Sequence, residues 1–136
     1  MKTKIFLDTN FLLIPALFKV DIFAEIERVC DFNYELLILD KTIDELNNIL
    51  STQRGKHKAA AKLAFQLTEQ KIKAKQLEVI ETKTEDTSKN VDRLLLEIAK
   101  HEKIIVATQD KVLKQYLRLL GAKILDLRKK QYLVLL

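Results

Sequence analysis

Along this chain, short apolar runs of strand length alternate with longer stretches in which apolar side chains recur every three or four positions. Thr3 to Leu7 reads as a first strand ending at Asp8, and from Phe11 helical spacing continues through Leu17, Ile22, Phe23, Ile26 and Val29. Pro15 should break or kink that stretch, with a fresh start at Asp21 as N-cap. Glu35 to Leu39 is the second strand. Asp40 then caps a helix whose buried stripe is Ile43, Leu46, Ile49 and Leu50, with Glu45 beside it in the early turns. A long helix from Lys56 to Lys75 leads to a short strand, Leu77 to Ile80, and Thr82 to Asn90 reads as a loop. Val91 to Lys100 is a helix with Leu94, Leu95, Ile98 and Ala99 inward. The strand Lys103 to Ala107, the helix Lys111 to Leu120 stopped by Gly121, and the strand Lys123 to Leu125 follow. Leu133 to Leu136 is a last strand or a dimer contact.

Strands alternating with helices through short connections predict a single α/β domain spanning residues 1–136: a parallel, Rossmann-like sheet with helices on both faces. In such sheets the functional groups gather at the carboxyl edge of the strands. A chain of 136 residues buries enough surface to hold a core unaided. Cys30 is the only cysteine, so no intramolecular disulfide or Cys-based zinc site can form, which fits a reducing, cytoplasmic setting. Asp8 interrupts the first apolar run, and no stretch reaches about 18 uncharged apolar residues, so neither a signal peptide nor a membrane partner is expected.

Four acids fall where that alternation delivers side chains to the carboxyl edge. Asp8 ends the first strand, Asp110 follows the strand Lys103 to Ala107, and Glu45 and Asp92 lie in the first turns of helices. Singly, each has an ordinary reading: Asp110 and Asp92 as helix caps, Glu45 as a solvated residue favoured by a helix dipole. Asp8 is different, because a carboxylate flanked by Phe6, Leu7, Phe11 and Leu12 is partly desolvated and needs a partner. Together, four crowded carboxylates repel one another unless a cation sits among them, and oxygen donors suit Mg²⁺ or Mn²⁺. His57 and His101 would be needed for a metal-free site that uses paired histidines as acid and base, but they lie far apart in Lys-rich helical surroundings.

Asp8-Thr9-Asn10, Thr42-Ile43-Asp44-Glu45-Leu46, Asn90-Val91-Asp92-Arg93 and Thr108-Gln109-Asp110 resemble, in order and spacing, the pattern of the PIN-domain ribonucleases. The resemblance covers essentially the whole chain. It implies a metal-dependent endoribonuclease in which Asp8, Glu45, Asp92 and Asp110 hold divalent ions. It further implies that Thr108 supplies a hydroxyl supporting the acids and that Thr9 and Asn10 support them from the same loop. Toxin members of the family, the VapC type, usually carry small residues after the third acid, whereas Arg93-Leu94-Leu95-Leu96 stands here. The tail Ile124 to Tyr132 looks more like archaeal members related to ribosomal RNA processing nucleases. An antitoxin or a ribosome-assembly protein is the corresponding partner, a homodimer is compatible with the pattern, and a non-catalytic RNA- or protein-binding domain is the third reading.

The net charge of +5, from 24 Lys and Arg against 19 Asp and Glu, is modest but uneven. From Arg54 to Gln76 seven basic residues, among them Arg54, Lys56, Lys58 and Lys62, face one acid, Glu69, a local excess larger than that of the whole chain. Any one lysine there is an ordinary solvated helix residue; as a set they suit an RNA backbone. Arg128, Lys129 and Lys130, with Tyr132 nearby, form a second cluster suited to phosphate contacts or stacking.

Overall fold

A computed structural model of the chain describes residues 1–82 and 89–136; most of the segment read as a loop, residues 83–88, lies outside the described residues. The elements run β1 (Thr3–Leu7), α1 (Thr9–Leu12), α2 (Ile14–Phe18), α3 (Ile22–Val29), β2 (Tyr34–Leu39), α4 (Asp40–Thr52), α5 (Lys56–Lys73), β3 (Glu78–Ile80), α6 (Val91–His101), β4 (Ile105–Ala107), α7 (Lys111–Leu119), β5 (Lys123–Arg128) and β6 (Tyr132–Leu135). They build one six-stranded sheet in the order β3-β2-β1-β4-β5-β6. β1 is paired in parallel with β2 and β4 on either side, so the strand that ends at Asp8 is central.

The alternation of side chains along β1 explains why helices cover both faces. Ile5 and Leu7 point to one face, where they join Leu36, Ile38, Ile105 and Leu125 beneath α1 to α5. Phe6 points to the other, with Leu37, Leu39, Val106 and Ile124 beneath Leu94 and Leu95 of α6 and Leu113 and Leu117 of α7. Ile5, Val106 and Leu117 have no exposed surface, and each such side chain contributes roughly 1.5–3 kcal/mol of hydrophobic stabilisation.

Several local expectations shift for identifiable reasons. The break expected at Pro15 falls two residues earlier, at Leu13, and Pro15 occupies the first turn of α2, where its missing N–H costs nothing. Asp21 caps α3 by accepting from the Ala24 amide. Asp40, expected as a cap, instead lies inside the first turn of α4. Its carboxylate accepts from the Thr82 amide and hydroxyl as well as the Lys41 amide, tying α4 to the chain just after β3. On α4 the fully buried residues are Thr42 and Leu46, while Ile43, Ile49 and Leu50 are half-buried, since α4 packs mainly on α5 and only lightly on β2. β4 starts at Ile105 rather than Lys103, whose side chain is exposed.

The sheet is not wholly parallel. β5 continues past Leu125 to Arg128, and β6 returns antiparallel to it, Arg128 opposite Tyr132. Three connecting residues are far too few for the crossover that a parallel partner requires. β6, last in the sheet order, is an edge strand, held also by α3, where the Glu25 carboxylate accepts from the Leu133 amide and Arg28 donates to its carbonyl. No helix of the described residues is long and apolar enough to cross a membrane.

Candidate active site

β1 and β4 lie side by side and stop at the same level, Leu7 beside Ala107, so the residues that follow them meet. Asp8 is 2 % exposed and Thr108 fully buried. The Thr108 hydroxyl donates to Asp8 Oδ2 at 2.7 Å and accepts from the Asp110 amide at 3.1 Å, so one side chain fixes the first acid and aims the backbone of the last. Asn10 knits the same two loops: its Oδ1 accepts from the Gln109 amide, and its carbonyl accepts from the Gln109 side-chain amide.

The other acids arrive from helix starts at this edge. The Thr9 hydroxyl donates to Glu45 Oε1 at 2.6 Å, and the Val91 amide, at the first turn of α6, makes a longer bond of 3.4 Å to Glu45 Oε2. Asp110 caps α7 through the Val112 and Leu113 amides. Asn90, not Asp92, caps α6, which leaves the Asp92 carboxylate free of that duty and without an N–H donor among the described residues.

The electrostatics follow from what surrounds each group. Burial pushes the Asp8 carboxyl up to about 6, against the donors Thr108 and Thr9, and the charges of Glu45 and Asp110 add to the rise. Asp92 is also raised to about 6, by burial and then by the charges of Asp8, Asp110 and Glu45, with a hydrogen bond to the Asp110 carboxyl adding. The charges of Glu45 and Asp110 thus reach Asp8, and those of the other three acids reach Asp92, with no basic side chain among the groups that dominate either. They do not form the ready-made cage expected: among the described residues no three His, Cys, Asp or Glu side chains are drawn together closely enough to hold an ion by themselves. The donor set nevertheless fits a hard cation. Mg²⁺ is usually held by one or two carboxylates, with waters and substrate oxygens completing the shell, and a positive charge here would offset both the burial and the repulsion that raise Asp8 and Asp92.

The basic residues singled out in the sequence are exposed and separate from the acids. α4 leaves the carboxyl edge and α5 packs against it, Ile43 and Leu46 facing Phe65, Thr68 and Ile72, before α5 ends near Lys2 and Tyr34 at the opposite edge. The connecting turn with Arg54, and the first turns of α5 with Lys56, Lys58 and Lys62, therefore lie toward the carboxyl-edge end of the pair. Arg128 donates to Asp126, and Lys129 occupies the β5–β6 turn. His57 starts α5 and His101 ends α6, so they are not paired.

Two features had no clear signal in the sequence. Gln109 reads there only as the spacer of Thr108-Gln109-Asp110. Asp126, 7 % exposed on β5, receives hydrogen bonds from both Lys114 and Arg128; burial would raise its carboxyl, but the two cations hold it below the usual range.

Residues 5–130 match the family model described as PIN like domain. Ribonuclease VapC4 of Methanocaldococcus jannaschii is 35 % identical over 132 residues, covering 95 % of this chain and 93 % of that protein. The solved PIN domain endonuclease Utp24 superposes with a TM-score of 0.73 at 22 % identity, covering 97 % of this chain and 90 % of that one. A domain of a functionally unknown protein from Methanocaldococcus jannaschii superposes with a TM-score of 0.63 at 16 % identity, over 93 % and 91 %. With nearly its whole length matched, the chain belongs to the PIN-like domain family.

Proposed function

We propose that this protein is a divalent-metal-dependent endoribonuclease that hydrolyses RNA phosphodiester bonds at the carboxyl edge of its sheet. The observation that carries this reading is the set of four acids at one sheet edge, in which Asp8 and Asp92 are raised chiefly by burial and further by neighbouring carboxylates, with no compensating basic side chain among the described residues that act on them. Near-full-length similarity to a protein named as a ribonuclease supports it.

Asp8, Glu45, Asp92 and Asp110 would hold Mg²⁺ or Mn²⁺, which when bound supplies an acidic water and a Lewis acid for the phosphoryl oxygens. The chain's own residues organise the rest. Thr108 fixes the Asp8 carboxylate, and Thr9 fixes Glu45, so that neither can swing away from the edge. The Asn10–Gln109 bonds keep the β1 and β4 loops at a constant separation. Asp92, with no N–H donor among the described residues and a hydrogen bond shared with the Asp110 carboxyl, is the acid suited to carry a proton there. Arg54, Lys56, Lys58 and Lys62 would draw the RNA backbone to this edge, with a strong salt dependence.

The relative's name also raises a toxin paired with an antitoxin. We favour RNA processing in which no small-residue run is needed, since Arg93 and Leu94 to Leu96 follow Asp92, with Leu94 and Leu95 buried in the core. The test is cleavage of a mixed single-stranded and hairpin RNA pool with Mn²⁺, with Mg²⁺ and with EDTA, beside Asp92→Asn. Internal cuts that need metal and disappear in the variant are expected. RNA binding without any cut would replace the nuclease reading with a non-catalytic RNA-binding domain.

A further inference from the structure

Among the described residues, four other than glycine have left-handed backbones, and all are lysines: Lys19, Lys75, Lys129 and Lys130. An L side chain is strained at such angles, and Gly or Asn is the usual occupant. Lys75 closes α5 at the amino edge. The other three meet at one corner. Lys19 ends α2, its amide donating to the Pro15 carbonyl, directly after Phe18. Lys129 and Lys130 form the β5–β6 turn, closed by the Gln131 amide on the Arg128 carbonyl, a geometry in which Asn-Gly is the favoured pair. The Lys130 ammonium stands 5.4 Å from the centre of the Phe18 ring, which joins the turn to the end of α2.

The corner is cationic. Asp126 on the same strand is committed to Lys114 and Arg128, and Asp21 makes no ion pair with Lys19, its carboxylate accepting from the Ala24 amide. Neither Lys19 nor Lys129 has an ion-pair partner among the described residues. Its place is also informative. Leu125 pairs with Ala107, the last residue of β4, and β5 runs on for three more residues, so the turn stands about 10 Å beyond the level of Ala107 and one strand away from the β4 end that carries Thr108 and Asp110.

We infer that Lys19, Lys129 and Lys130 form a phosphate-binding corner that holds the RNA backbone a few nucleotides from the acid cluster, at the expense of folding stability. This rests on the RNA-cleaving reading above. The acids repel the backbone they face, so a fixed cationic site beside them is what the substrate requires. Left-handed lysines place that charge where glycine would give a more stable turn but no charge.

The test pairs stability with binding. Wild-type protein, Lys129→Gly/Lys130→Gly and Lys19→Gly are compared by thermal unfolding, and by anisotropy with a fluorescent single-stranded RNA in EDTA over a salt series. Relief of strain should raise Tm in each variant. RNA affinity should fall about tenfold in the double variant, with the salt slope shallower by about 1.4 for two lost phosphate contacts. Lys129→Arg/Lys130→Arg should keep the affinity and gain no Tm. Unchanged affinity and slope with a raised Tm would mean that the turn merely tolerates lysine, and a lowered Tm would remove the strain argument; either overturns the inference. Poly-glutamate competing as well as RNA would replace it with an acidic protein partner. Loss of affinity is read without metal, so a protein that binds RNA here but never cuts it would fail the nuclease reading alone.

Discussion

Asp8 and Asp126 sit near the carboxyl ends of β1 and β5, are similarly buried at 2 % and 7 % exposure, and carry opposite electrostatics. Asp126 meets Lys114 and Arg128, and its carboxyl is held low. Asp8 meets only two neutral donors, which do not offset its burial, and other acids that add to it, so its carboxyl is driven up to about 6. One is a completed ion network that fastens β5 to α7. The other is a charge that the fold leaves unbalanced. A chain can bury a carboxylate either way, and the contrast separates an acid that the fold has neutralised from one that it has not, which is the ground for the metal site proposed above.

The largest effects should come from removing each charge. Asp8→Asn is expected to lower RNA cleavage at least about 100-fold, since ion-assisted charge relief is worth several kcal/mol in the transition state, while leaving the fold as stable or more so. Asp126→Asn should do the reverse. It leaves Lys114, 15 % exposed, without its carboxylate, and should destabilise the fold by about 2 kcal/mol while folded protein still cuts. Denaturant unfolding and cleavage rates on both variants measure the crossing. Equal losses of stability in the two would erase the distinction.

The same contrast sets a pH profile in metal-free protein. Between about pH 4 and 6 the native state binds protons on Asp8 and Asp92 that the unfolded chain has released, so their contribution to stability declines as pH rises and levels off above 6. For buried Asp8 the full change is about 3 kcal/mol. Asp126 has the opposite sign, adding stability above about pH 4 that is lost on further acidification. Metal-free protein in EDTA should therefore be most stable in mildly acidic solution, and Asp8→Asn should flatten the decline toward neutrality. Stability rising steadily from pH 4 to 7 would contradict the raised carboxyls. Mn²⁺ or Mg²⁺ should raise Tm at pH 7.5 and much less at pH 5, where protons compete for the same oxygens.

Asp8 and Asp126 also mark what the sequence made legible. Asp8 could be placed because it ends a short apolar strand and a helix follows, and Asp110 because Thr108-Gln109-Asp110 interrupts the next such boundary. Asp126 could not, since Asp126-Leu127-Arg128 looks like the charged exit of a strand. Only the tertiary pairing with Lys114 reveals that β5 continues there. The antiparallel β6 was equally hidden, because Leu133 to Leu136 has no alternation and its direction depends on a three-residue turn. Asp40 was misplaced by one position for a related reason: its carboxylate is used by Thr82, 42 residues away, and no local pattern encodes that. Strand ends are written locally. The hydrogen bonds that brace them, Thr9 to Glu45 and Asn10 to Gln109, join segments 36 and 99 residues apart and appear only in the fold.

A smaller test compares two threonines. Thr9 and Thr42 are both buried, at 6 % and 0 % exposure, and Val replaces either with almost no change of shape. The Thr9 hydroxyl holds Glu45, so Thr9→Val should leave that carboxylate loosely placed and reduce cleavage about tenfold, as losses of groups that orient metal ligands commonly do. The Thr42 hydroxyl, three residues before Glu45, has no hydrogen-bond partner in the described structure. Thr42→Val removes an unsatisfied buried group and should stabilise the fold by about 1 kcal/mol without changing the cleavage rate. Loss of activity in Thr42→Val would mean that its hydroxyl serves the acids in a state that forms only with metal or RNA bound, and would move Thr42 from the core to the site.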